Sequence, residues 1–573
     1  MKIKTDMLLA HAPAFFDFRN RSDVYFPFLG TSGDVPITPL YEYFPLGFKT
    51  LQRSLSAAGY DVEIVNLATV LLKYPQIDLD RFLGDIEARI FGIDLHWMVH
   101  VQGALGIASL LKKLHPETPV VLGGISSTYY AQQLIQRPEI DMVMRGYDTH
   151  APMETLLGAL GNSQELARVP NLLWKSRDGE IQDNGFGHTP ASFSCGVNWS
   201  TLPQQRDDGG LPILEVLSTQ NAGCPFNCGW CGGSRDAFRR INGMHKPIVR
   251  KPMEEVEYEM RSMQSMPDAD RYHLYTIGAY TEPKDRLTHL MENIGMSGVK
   301  SVSYEQFHLT PDDVMRDMVR ANPNTIITLS PESHDMRISK LAGRGTYTPQ
   351  QMEEWIERAL DLGIHQIDIW YFIGMPEQDK ASVEATVAYC GHLLRRFKGK
   401  RVVPLLCPMI PFLDPASNFF EHPDKHGYKI FHRTVEEHRS GMENASIINR
   451  VNYETKWLSR SDLVHLGYSS VRKLTELKME YGQYPRGIGE DVCNRIDDAA
   501  RFVDVVHEID CIADPKQRAR ELAGIGDDIL SRNNEIFFNG VANQSFPVER
   551  DVGGRWFDEM LSAEAHAKKL ETS

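Results

Sequence analysis

Three cysteines lie within eight residues of one another, and their spacing is the clearest chemical signal in this sequence. Cys224, Cys228 and Cys231 form the pattern Cys-x3-Cys-x2-Cys. The apolar run 213–219 precedes them and has the pattern of a buried strand, which predicts that the cysteines occupy the loop at its carboxyl end. Catalytic loops gather at that end of the strands in α/β barrels.

The three thiolates favour iron over zinc, with a zinc knuckle as the alternative. Zinc usually takes four protein ligands, or three and a water, and a cysteine pair needs a second pair elsewhere. The remaining cysteines are scattered singly, at positions 195, 390, 407, 493 and 511. An iron-sulfur cluster usually has four cysteine ligands, so three would leave one iron open to a ligand from outside the chain.

With Trp230 directly before the third cysteine, the motif resembles the signature of the radical S-adenosylmethionine (SAM) enzymes. The resemblance implies a [4Fe-4S] cluster on Cys224, Cys228 and Cys231, with the amino and carboxylate groups of SAM on the fourth iron. It also implies a partial barrel of six parallel strands. Six apolar runs alternate with helical segments, at 213–219, 272–280, 299–305, 325–330, 366–374 and 402–406.

Polar residues at the ends of these predicted strands are the candidate SAM ligands. Glu332 and Ser333 follow the fourth strand, where the family commonly binds the ribose and the amino-acid part of SAM. Either Arg337 or Arg344 could clamp the SAM carboxylate through two hydrogen bonds. Gly374 ends the fifth strand and resembles the family's turn near adenine. The sequence assigns no catalytic acid or base.

The first 160 residues predict a second parallel sheet. Helical periodicity marks 45–59 and 103–114. Predicted strands lie at 7–13, 61–67, 90–95, 119–124 and 142–146. Parallel strands joined by crossover helices form a doubly wound sheet, in which ligands bind beyond the carboxyl ends of the strands.

Two glycines and three hydroxyl residues lie at the end of one of these strands: Gly123, Gly124, Ser126, Ser127 and Thr128. Glycines admit a close backbone approach, and hydroxyls donate hydrogen bonds. Placed before a radical SAM barrel, the segment resembles the cobalamin-binding domain of the cobalamin-dependent radical SAM enzymes. The resemblance implies that these residues line the slot for the nucleotide tail and that Gly146 belongs to a closing loop. A mere tight turn is the alternative.

A histidine ligand to cobalt is not expected. Cobalamin domains that supply one carry Asp-x-His-x-x-Gly after the first strand, and the segment beginning at His11 does not fit. Asp94, Leu95 and His96 have the Asp-x-His spacing, but they follow a later strand and lack the glycine. We place these three residues at the rim of the cobalamin slot. His96 and His100, four residues apart, could instead form a metal or cobalt site.

The length of 573 residues predicts several domains of an α/β protein. We expect a doubly wound cobalamin-binding domain (1–160), a linker (161–210), a partial (β/α)6 radical SAM barrel (211–425) and a mostly helical substrate-capping domain (426–573). The net charge of −15 argues against partnership with nucleic acid or an anionic membrane. With no recognisable signal peptide or long apolar run, the expected location is the cytoplasm.

The resemblance also implies a reaction. One electron from an external donor such as flavodoxin or ferredoxin would cleave SAM to a 5′-deoxyadenosyl radical, which takes hydrogen from an unactivated carbon of a small-molecule substrate. Methylcobalamin would then supply a methyl group, as in class B radical SAM methyltransferases. The closest subgroup has unknown substrates. The alternatives are a cobalamin-dependent cyclase or ring-rearranging enzyme without methyl transfer, and a non-catalytic iron-sulfur electron-transfer protein.

Overall fold

The computed structural model describes residues 3–27, 29–31, 35–37, 40, 46–201, 214–244, 246–266, 269–409 and 413–539. Within these ranges the chain builds two large sheets, one of seven strands and one of six. The expected α/β class is therefore confirmed. The last part of the expected linker and the segment from 540 onward lie outside the described residues.

Seven strands form the first sheet: β1 (Ile3–His11), β2 (Val62–Asn66), β3 (Ile86–Asp94), β4 (Val120–Gly123), β5 (Met142–Met144), β6 (Leu172–Lys175) and β7 (Ile181–Asp183). Their order is β2-β1-β3-β4-β5-β6-β7. The first five run parallel, and the last two are antiparallel. The direction of winding reverses between β1 and β3, and such a switch point is where open α/β sheets bind ligands.

Apolar residues on both faces explain why β1 lies in the middle of this sheet. Leu8 and Ala10 pack into the core on one face, and Met7 and Leu9 pack into the core on the other. Helices cover these faces, at Leu46–Ala57, Leu67–Lys73, Leu79–Gly84, Val101–Leu114, Ile125–Tyr129, Ala131–Leu134, His150–Ala159 and Ser163–Leu166. The strands β6 and β7, which the sequence analysis placed in the linker, extend the sheet because Leu172, Leu173 and Trp174 are buried against it.

Six parallel strands form the second sheet in chain order: β8 (Leu214–Thr219), β9 (Tyr272–Ile277), β10 (Ser301–Gln306), β11 (Thr325–Glu332), β12 (Gln366–Ile373) and β13 (Val402–Pro408). This is the arrangement expected for the partial barrel. The helices that accompany it are Arg235–Asn242, Met253–Gln264, Lys284–Met296, Asp312–Ala321, Met336–Leu341, Pro349–Asp361 and Lys380–Arg396.

Burial alternates along the barrel strands. In β12, Ile367, Ile369 and Tyr371 are fully buried in the core between strands and helices. Asp368 and Trp370, which alternate with them, are only partly buried. Successive side chains of a strand point to opposite faces, so these two belong to the inner face of the barrel.

The C-terminal part is mostly helical, as expected, and its longest helices extend the wall of the barrel. Its helices are Asn418–Glu421, Pro423–His426, Val435–Met442, Ile447–Arg450, Arg460–Glu480, Arg486–Asp510, Pro515–Gly524 and Gly526–Asn534. The helix Arg460–Glu480 packs against β13 and against the helix Lys380–Arg396. Among the described residues, no helix combines the length and the apolar character needed to cross a membrane.

Candidate functional site

The cysteine loop leaves β8 through a short antiparallel pairing of Asn221–Gly223 with Ile248–Arg250. The loop is then folded tightly against the C-terminal part of the chain. A Cβ atom at Gly229 would lie 2.1 Å from the ring of Phe419, so only glycine fits that position. The amide of Gly229 also donates to the carbonyl of Ala342, at 3.1 Å, which ties the loop to the segment that follows β11.

Backbone amides point at two of the three sulfur atoms. The amide of Phe226 donates to Sγ of Cys224 at 3.4 Å, and the amide of Gly233 donates to Sγ of Cys231 at 3.3 Å. The hydroxyl of Tyr280 also lies 3.4 Å from Sγ of Cys224. Hydrogen bonds of this kind support the sulfur ligands of iron-sulfur clusters and tune the cluster potential.

Burial raises the pKa of all three thiols, to about 12 for Cys228. Burial is the largest cause for Cys231, and the carboxylate of Asp414 and the thiols of Cys228 and Cys224 add to it. Buried thiols in this state ionise only when a cationic partner such as iron compensates the charge. The donor set and its amide support therefore fit a cluster.

A buried ion pair lies beside the cysteine loop. Nε of Arg344 donates to Oε1 of Glu332 at 2.9 Å, and the guanidinium lies 3.4 Å from the ring centroid of Phe307. Glu332 has a left-handed backbone, with φ +66°, at a bulge near the end of β11. A Cβ at Gly343 would lie 3.0 Å from Cα of Cys228, so the segment carrying Arg344 packs directly on the cysteine loop.

Each partner of this ion pair keeps a buried polar atom without a hydrogen bond in the described residues. These atoms are Oε2 of Glu332 and Nη1 of Arg344. An unpaired buried polar group costs on the order of 1–3 kcal/mol, which points to a missing ligand. One acceptor and one donor match the amino group and the carboxylate of an amino acid, so the pair fits the amino-acid part of SAM.

The other residues assigned to SAM lie in different surroundings. Arg337 is 57% exposed and pairs with Asp335 and Glu377, so the structure brings Arg344, and not Arg337, to the cysteine loop. Ser333 is buried, and its hydroxyl accepts from the amide of Asp335. Arg344 is therefore the better-placed candidate for the clamp, and Arg337 lies at the surface.

Trp230 and Gly374 contribute shape and packing. The ring of Trp230 lies 5.6 Å from that of Phe372, beside an apolar cluster of Ile338, Ala342 and Met375. Gly374 has φ +108°, and its carbonyl accepts from the hydroxyl of Tyr428 at 2.8 Å. A Cβ there would lie 2.3 Å from the Tyr453 hydroxyl. The C-terminal part thus reaches the end of β12, and Trp230 offers an apolar wall.

One level of the barrel interior carries two carboxylates. Thr328 is the register partner of Glu305 on one side and of Asp368 on the other, so the three side chains share the inner face. Burial raises the pKa of Glu305 to about 7 and that of Asp368 to about 6. Asp368 accepts a hydrogen bond from Gln366, at 2.8 Å. The sequence analysis missed these two residues, because a carboxylate on an apolar strand identifies its face only once the register is known.

The carboxyl edge of the first sheet is held together by its loops. The amide of Leu95 donates to the carbonyl of Gly123 at 2.7 Å, and the hydroxyl of Ser126 donates to the carbonyl of His96 at 3.3 Å. Gly124 has φ +107°, and a Cβ there would lie 2.8 Å from the amide nitrogen of His96. The loops after β3 and β4, which the sequence assigned separately to the cobalamin slot, therefore form one surface.

Further features of this edge fit a bound cofactor. A Cβ at Gly123 would meet no atom within 4 Å, so the backbone there faces open space. The hydroxyl of Ser127 is buried and has no partner among the described residues. Thr128 and Gly146 are joined, because the Gly146 amide donates to the Thr128 hydroxyl at 3.1 Å. Open backbone beside an unpaired hydroxyl fits a bound cofactor that has amide and phosphate groups.

Asp94 organises the histidines at the same edge. Its carboxylate accepts from Nδ1 of His11, at 2.9 Å, and from Nδ1 of His96, at 2.7 Å. Burial opposes ionisation of Asp94, but the two imidazoles outweigh it and lower the pKa of the carboxyl. The sequence analysis set His11 aside because it lies outside the expected motif.

One carboxylate connects the two edges. Oδ1 of Asp414 accepts from Nε1 of Trp97 at 3.1 Å, and Oδ2 accepts from the amide of Gly232 at 3.0 Å. Trp97 follows β3 of the first sheet, and Gly232 follows the last cysteine of the motif. The carboxyl edge of the first sheet, which we expect to bind cobalamin and call the cobalamin edge, is thus separated from the cysteine loop by a single side chain. Sequence reasoning missed this contact, because its partners lie 317 residues apart.

Two family models match this chain. The model described as the B12 binding domain matches residues 34–156, and the radical SAM superfamily model matches residues 221–390. An uncharacterized methyltransferase of Pyrococcus horikoshii is 24% identical over 359 residues, which cover 61% of this chain and 73% of that protein. The hopanoid C-3 methylase of Methylococcus capsulatus is 27% identical over 194 residues, covering 33% of this chain and 35% of that one.

Solved structures share the fold at low sequence identity. The radical SAM methyltransferase TsrM of Kitasatospora setae, with cobalamin and a [4Fe-4S] cluster bound, has a TM-score of 0.55 and 14% identity, covering 83% of this chain and 89% of that one. The cobalamin-dependent SAM radical enzyme OxsB with aqua-cobalamin has a TM-score of 0.51 and 11% identity, covering 98% and 84%. With both domains matched in order, the chain is a cobalamin-dependent radical SAM enzyme, whose cofactors are a [4Fe-4S] cluster, SAM and cobalamin.

Proposed function

We propose that this enzyme is a class B radical SAM methyltransferase that methylates an unactivated carbon of a small molecule. The contact of Trp97 and Gly232 with the two oxygens of Asp414 carries the proposal, because it holds the cobalamin edge against the cysteine loop. A substrate between them would be within reach of both cofactors. Methyltransferases among the relatives of the chain add support.

In this proposal the bound cofactors supply the hydrogen-abstracting radical and the methyl group, and the chain positions the reactants. Cys224, Cys228 and Cys231 hold the cluster. Glu332 would accept a hydrogen bond from the SAM amino group, and Arg344 would donate to the SAM carboxylate. Trp230 closes one side of the SAM site with an apolar wall that helps to exclude water. An external electron donor such as flavodoxin or ferredoxin would reduce the cluster.

We place the substrate against the inner face of the barrel, at the level of Glu305, Thr328 and Asp368. The two carboxylates have raised pKa values because desolvation outweighs the groups that oppose it, which are the guanidinium of Arg344 for Glu305 and the side chain of Gln366 for Asp368. Such groups bind hydrogen-bond donors strongly, since a donor relieves their desolvation. A substrate with hydroxyl or amino groups would therefore be held with a carbon directed toward the cofactors.

Isotope transfer tests the proposal. The reconstituted full-length enzyme is incubated anaerobically with a strong reductant, cobalamin, SAM carrying a deuterated methyl group, and a small-molecule extract of the source cells. We expect 5′-deoxyadenosine, deuteromethyl cobalamin, and a metabolite that gains the deuterated methyl. Mass spectrometry measures all three, and a reaction without cobalamin is the control.

Other outcomes would contradict the proposal in different ways. Formation of 5′-deoxyadenosine with a product that carries no label would indicate a cyclase or rearranging enzyme. Absence of SAM cleavage with an intact, reducible cluster would indicate an electron-transfer protein.

A variant tests the proposed position of the substrate. Asp368→Asn should reduce the labelled product at least about tenfold while 5′-deoxyadenosine continues to form, since one lost hydrogen bond to a charged group is worth about 1.5–3 kcal/mol.

A further inference from the structure

A tyrosine side chain contacts one sulfur atom of the cysteine motif. The hydroxyl of Tyr280 lies 3.4 Å from Sγ of Cys224, which is within reach of a hydrogen bond to sulfur. A cysteine that binds a metal cluster does so as a thiolate, which has no proton to give. A phenol has an ordinary pKa of about 10 and keeps its proton near neutral pH. The direction of the bond in the loaded enzyme is therefore fixed: Tyr280 donates and the sulfur accepts.

Other contacts tie the segment that carries Tyr280 to the segment that carries Cys224. Gly278, at the end of β9, has φ +84°, and a Cβ atom there would lie 2.4 Å from Nδ2 of Asn221. The side-chain amide of Asn221 donates to the carbonyl of Gly278 at 3.1 Å and to the hydroxyl of Thr281 at 2.6 Å. These contacts do not involve the phenol, so the two segments stay together when its hydroxyl is removed.

Aromatic packing fixes the phenol ring. The ring centroid of Tyr280 lies 4.1 Å from that of Phe307 and 5.7 Å from that of Phe226. Phe307 is buried, and its ring is covered by the guanidinium of Arg344, which pairs with the buried Glu332. A ring that is already held by its neighbours loses little conformational entropy when its hydroxyl forms a hydrogen bond. The hydroxyl of Tyr280 is thus preorganised to donate to the sulfur.

A donor at this position acts on the charge of the cluster. Reduction by one electron adds negative charge to the cluster and its thiolates, and a hydrogen bond to a thiolate stabilises the more negative state more strongly. The amides of Phe226 and Gly233 act in the same direction, but they belong to the backbone, and a change of side chain does not remove them. The phenol of Tyr280 is a donor that a single substitution removes.

We propose that Tyr280 is a positioning residue that raises the reduction potential of the [4Fe-4S] cluster through its hydrogen bond to Cys224. The electron comes from the external one-electron carrier and enters the cluster. The proton stays on the phenol oxygen, and no bond is broken at Tyr280. The inference goes beyond the proposed function and needs only the cluster, so it holds whichever reaction follows the cleavage of SAM.

A redox titration of the cluster tests the proposal. The full-length protein carrying its cluster is poised at a series of potentials, and electron paramagnetic resonance measures the reduced fraction. In Tyr280→Phe we expect a more negative midpoint. The ratio of reduced to oxidised cluster at a fixed potential should fall at least about threefold, or roughly 30 mV at the ~59 mV per tenfold of a one-electron couple. Iron content should stay at about four atoms per chain, because the three thiolates are unchanged. An unchanged midpoint would overturn the proposal.

Tyr304→Phe is the matched control. Tyr304 lies on β10, is fully buried, and its hydroxyl has no partner among the described residues. Its loss should leave the midpoint where it is in the wild type. An equal shift in Tyr304→Phe and Tyr280→Phe would show a general effect of removing a buried phenol and would contradict a specific bond to Cys224.

A second replacement predicts the opposite sign. A monofluorinated tyrosine in place of Tyr280 keeps the ring and is a more acidic and therefore stronger donor, so the midpoint should move in the positive direction. If Tyr280→Phe assembles less iron, this replacement decides the proposal, and a negative shift would refute it. A wild-type midpoint in Tyr280→Phe, together with transfer of the deuterated methyl, would refute the inference and leave the proposed function standing. A shifted midpoint in an enzyme that transfers no methyl would do the reverse.

Discussion

The two strand edges that meet at Asp414 are built in opposite ways. The barrel edge takes its three candidate metal ligands from one loop of eight residues, and the sheet edge takes its polar groups from loops that are far apart in the chain. His11 and Asp94, for example, are 83 residues apart. The cysteine site at the barrel edge therefore depends on local spacing, and the site at the sheet edge depends on the topology of the sheet. Substitutions should therefore have different consequences at the two edges.

The largest effect is expected for Cys228→Ala at the barrel edge. Two thiolates cannot hold the cluster that three hold, so iron content should fall from about four atoms per chain to less than about one. Cleavage of SAM should be abolished, while cobalamin binding at the sheet edge is retained. Iron analysis and visible spectra measure these changes. Cys511→Ala, at an exposed cysteine, is the control, and loss of cobalamin binding in Cys228→Ala would contradict the independence of the two edges.

A smaller effect is expected when the buried ion pair is broken. Arg344→Ala leaves Glu332 buried without its partner, which typically costs about 3–5 kcal/mol and removes the proposed carboxylate clamp. The Kd for SAM should rise at least about tenfold. Glu332→Gln keeps the volume and should also weaken SAM binding.

Arg337→Ala is the matched control for the ion pair, because this arginine is exposed and exposed pairs contribute about 0–1 kcal/mol. Equilibrium binding of SAM to each cluster-loaded variant measures the effect. Equal losses in Arg337→Ala and Arg344→Ala would show that neither arginine clamps the SAM carboxylate specifically.

Substitutions at two adjacent glycines distinguish an effect on stability from an effect on cobalamin binding at the edge of the first sheet. Gly124→Ala introduces a Cβ 2.8 Å from the backbone of His96 at a φ of +107°, so we expect a loss of stability of about 1–3 kcal/mol. At Gly123 a Cβ meets no protein atom within 4 Å. Gly123→Ala should therefore keep wild-type stability and lose cobalamin affinity, if the open space is the slot. Thermal unfolding and cobalamin titration distinguish the two, and normal affinity in Gly123→Ala would remove that residue from the slot.

The smallest effect concerns pH. Burial raises the pKa of Glu305 from its ordinary 4.5 to about 7. The folded state holds this proton more tightly, so its contribution to stability is complete below the ordinary pKa and is lost as the pH rises through about 7. Glu305→Gln lacks this dependence. Its Tm relative to wild type should rise by about 2 °C between about pH 5 and about pH 8.

The control for the pH experiment is Glu384→Gln, at an exposed position of the helix Lys380–Arg396. It should follow the wild-type Tm across the same range. A Tm difference between Glu305→Gln and wild type that does not change with pH would show that the carboxyl of Glu305 titrates normally in the folded protein.

Sequence predicted most of the architecture, because apolar periodicity and local spacing survive in a linear chain. All six barrel strands lie where the apolar runs predicted them, and the doubly wound sheet has its expected parallel strands. The choice between Arg337 and Arg344 could not be made, since both follow β11 and only the packing of Gly343 on the cysteine loop selects Arg344. The hydrogen bond between Trp97 and Asp414 depends on a tertiary contact that no local pattern encodes. The same holds for the strand register that puts Glu305 and Asp368 on one inner face of the barrel, on either side of Thr328.

The double hydrogen bonding of Asp414 constrains how molecules enter and leave. An opening motion that separated the first sheet from the barrel would break both hydrogen bonds to the carboxylate of Asp414 at every turnover. Each lost hydrogen bond to a buried charged group is costly. We therefore expect substrate and product to enter and leave through an opening beside this contact, which stays closed. A contact that stays closed would hold the loop after β3 and the cysteine loop at one separation throughout the catalytic cycle.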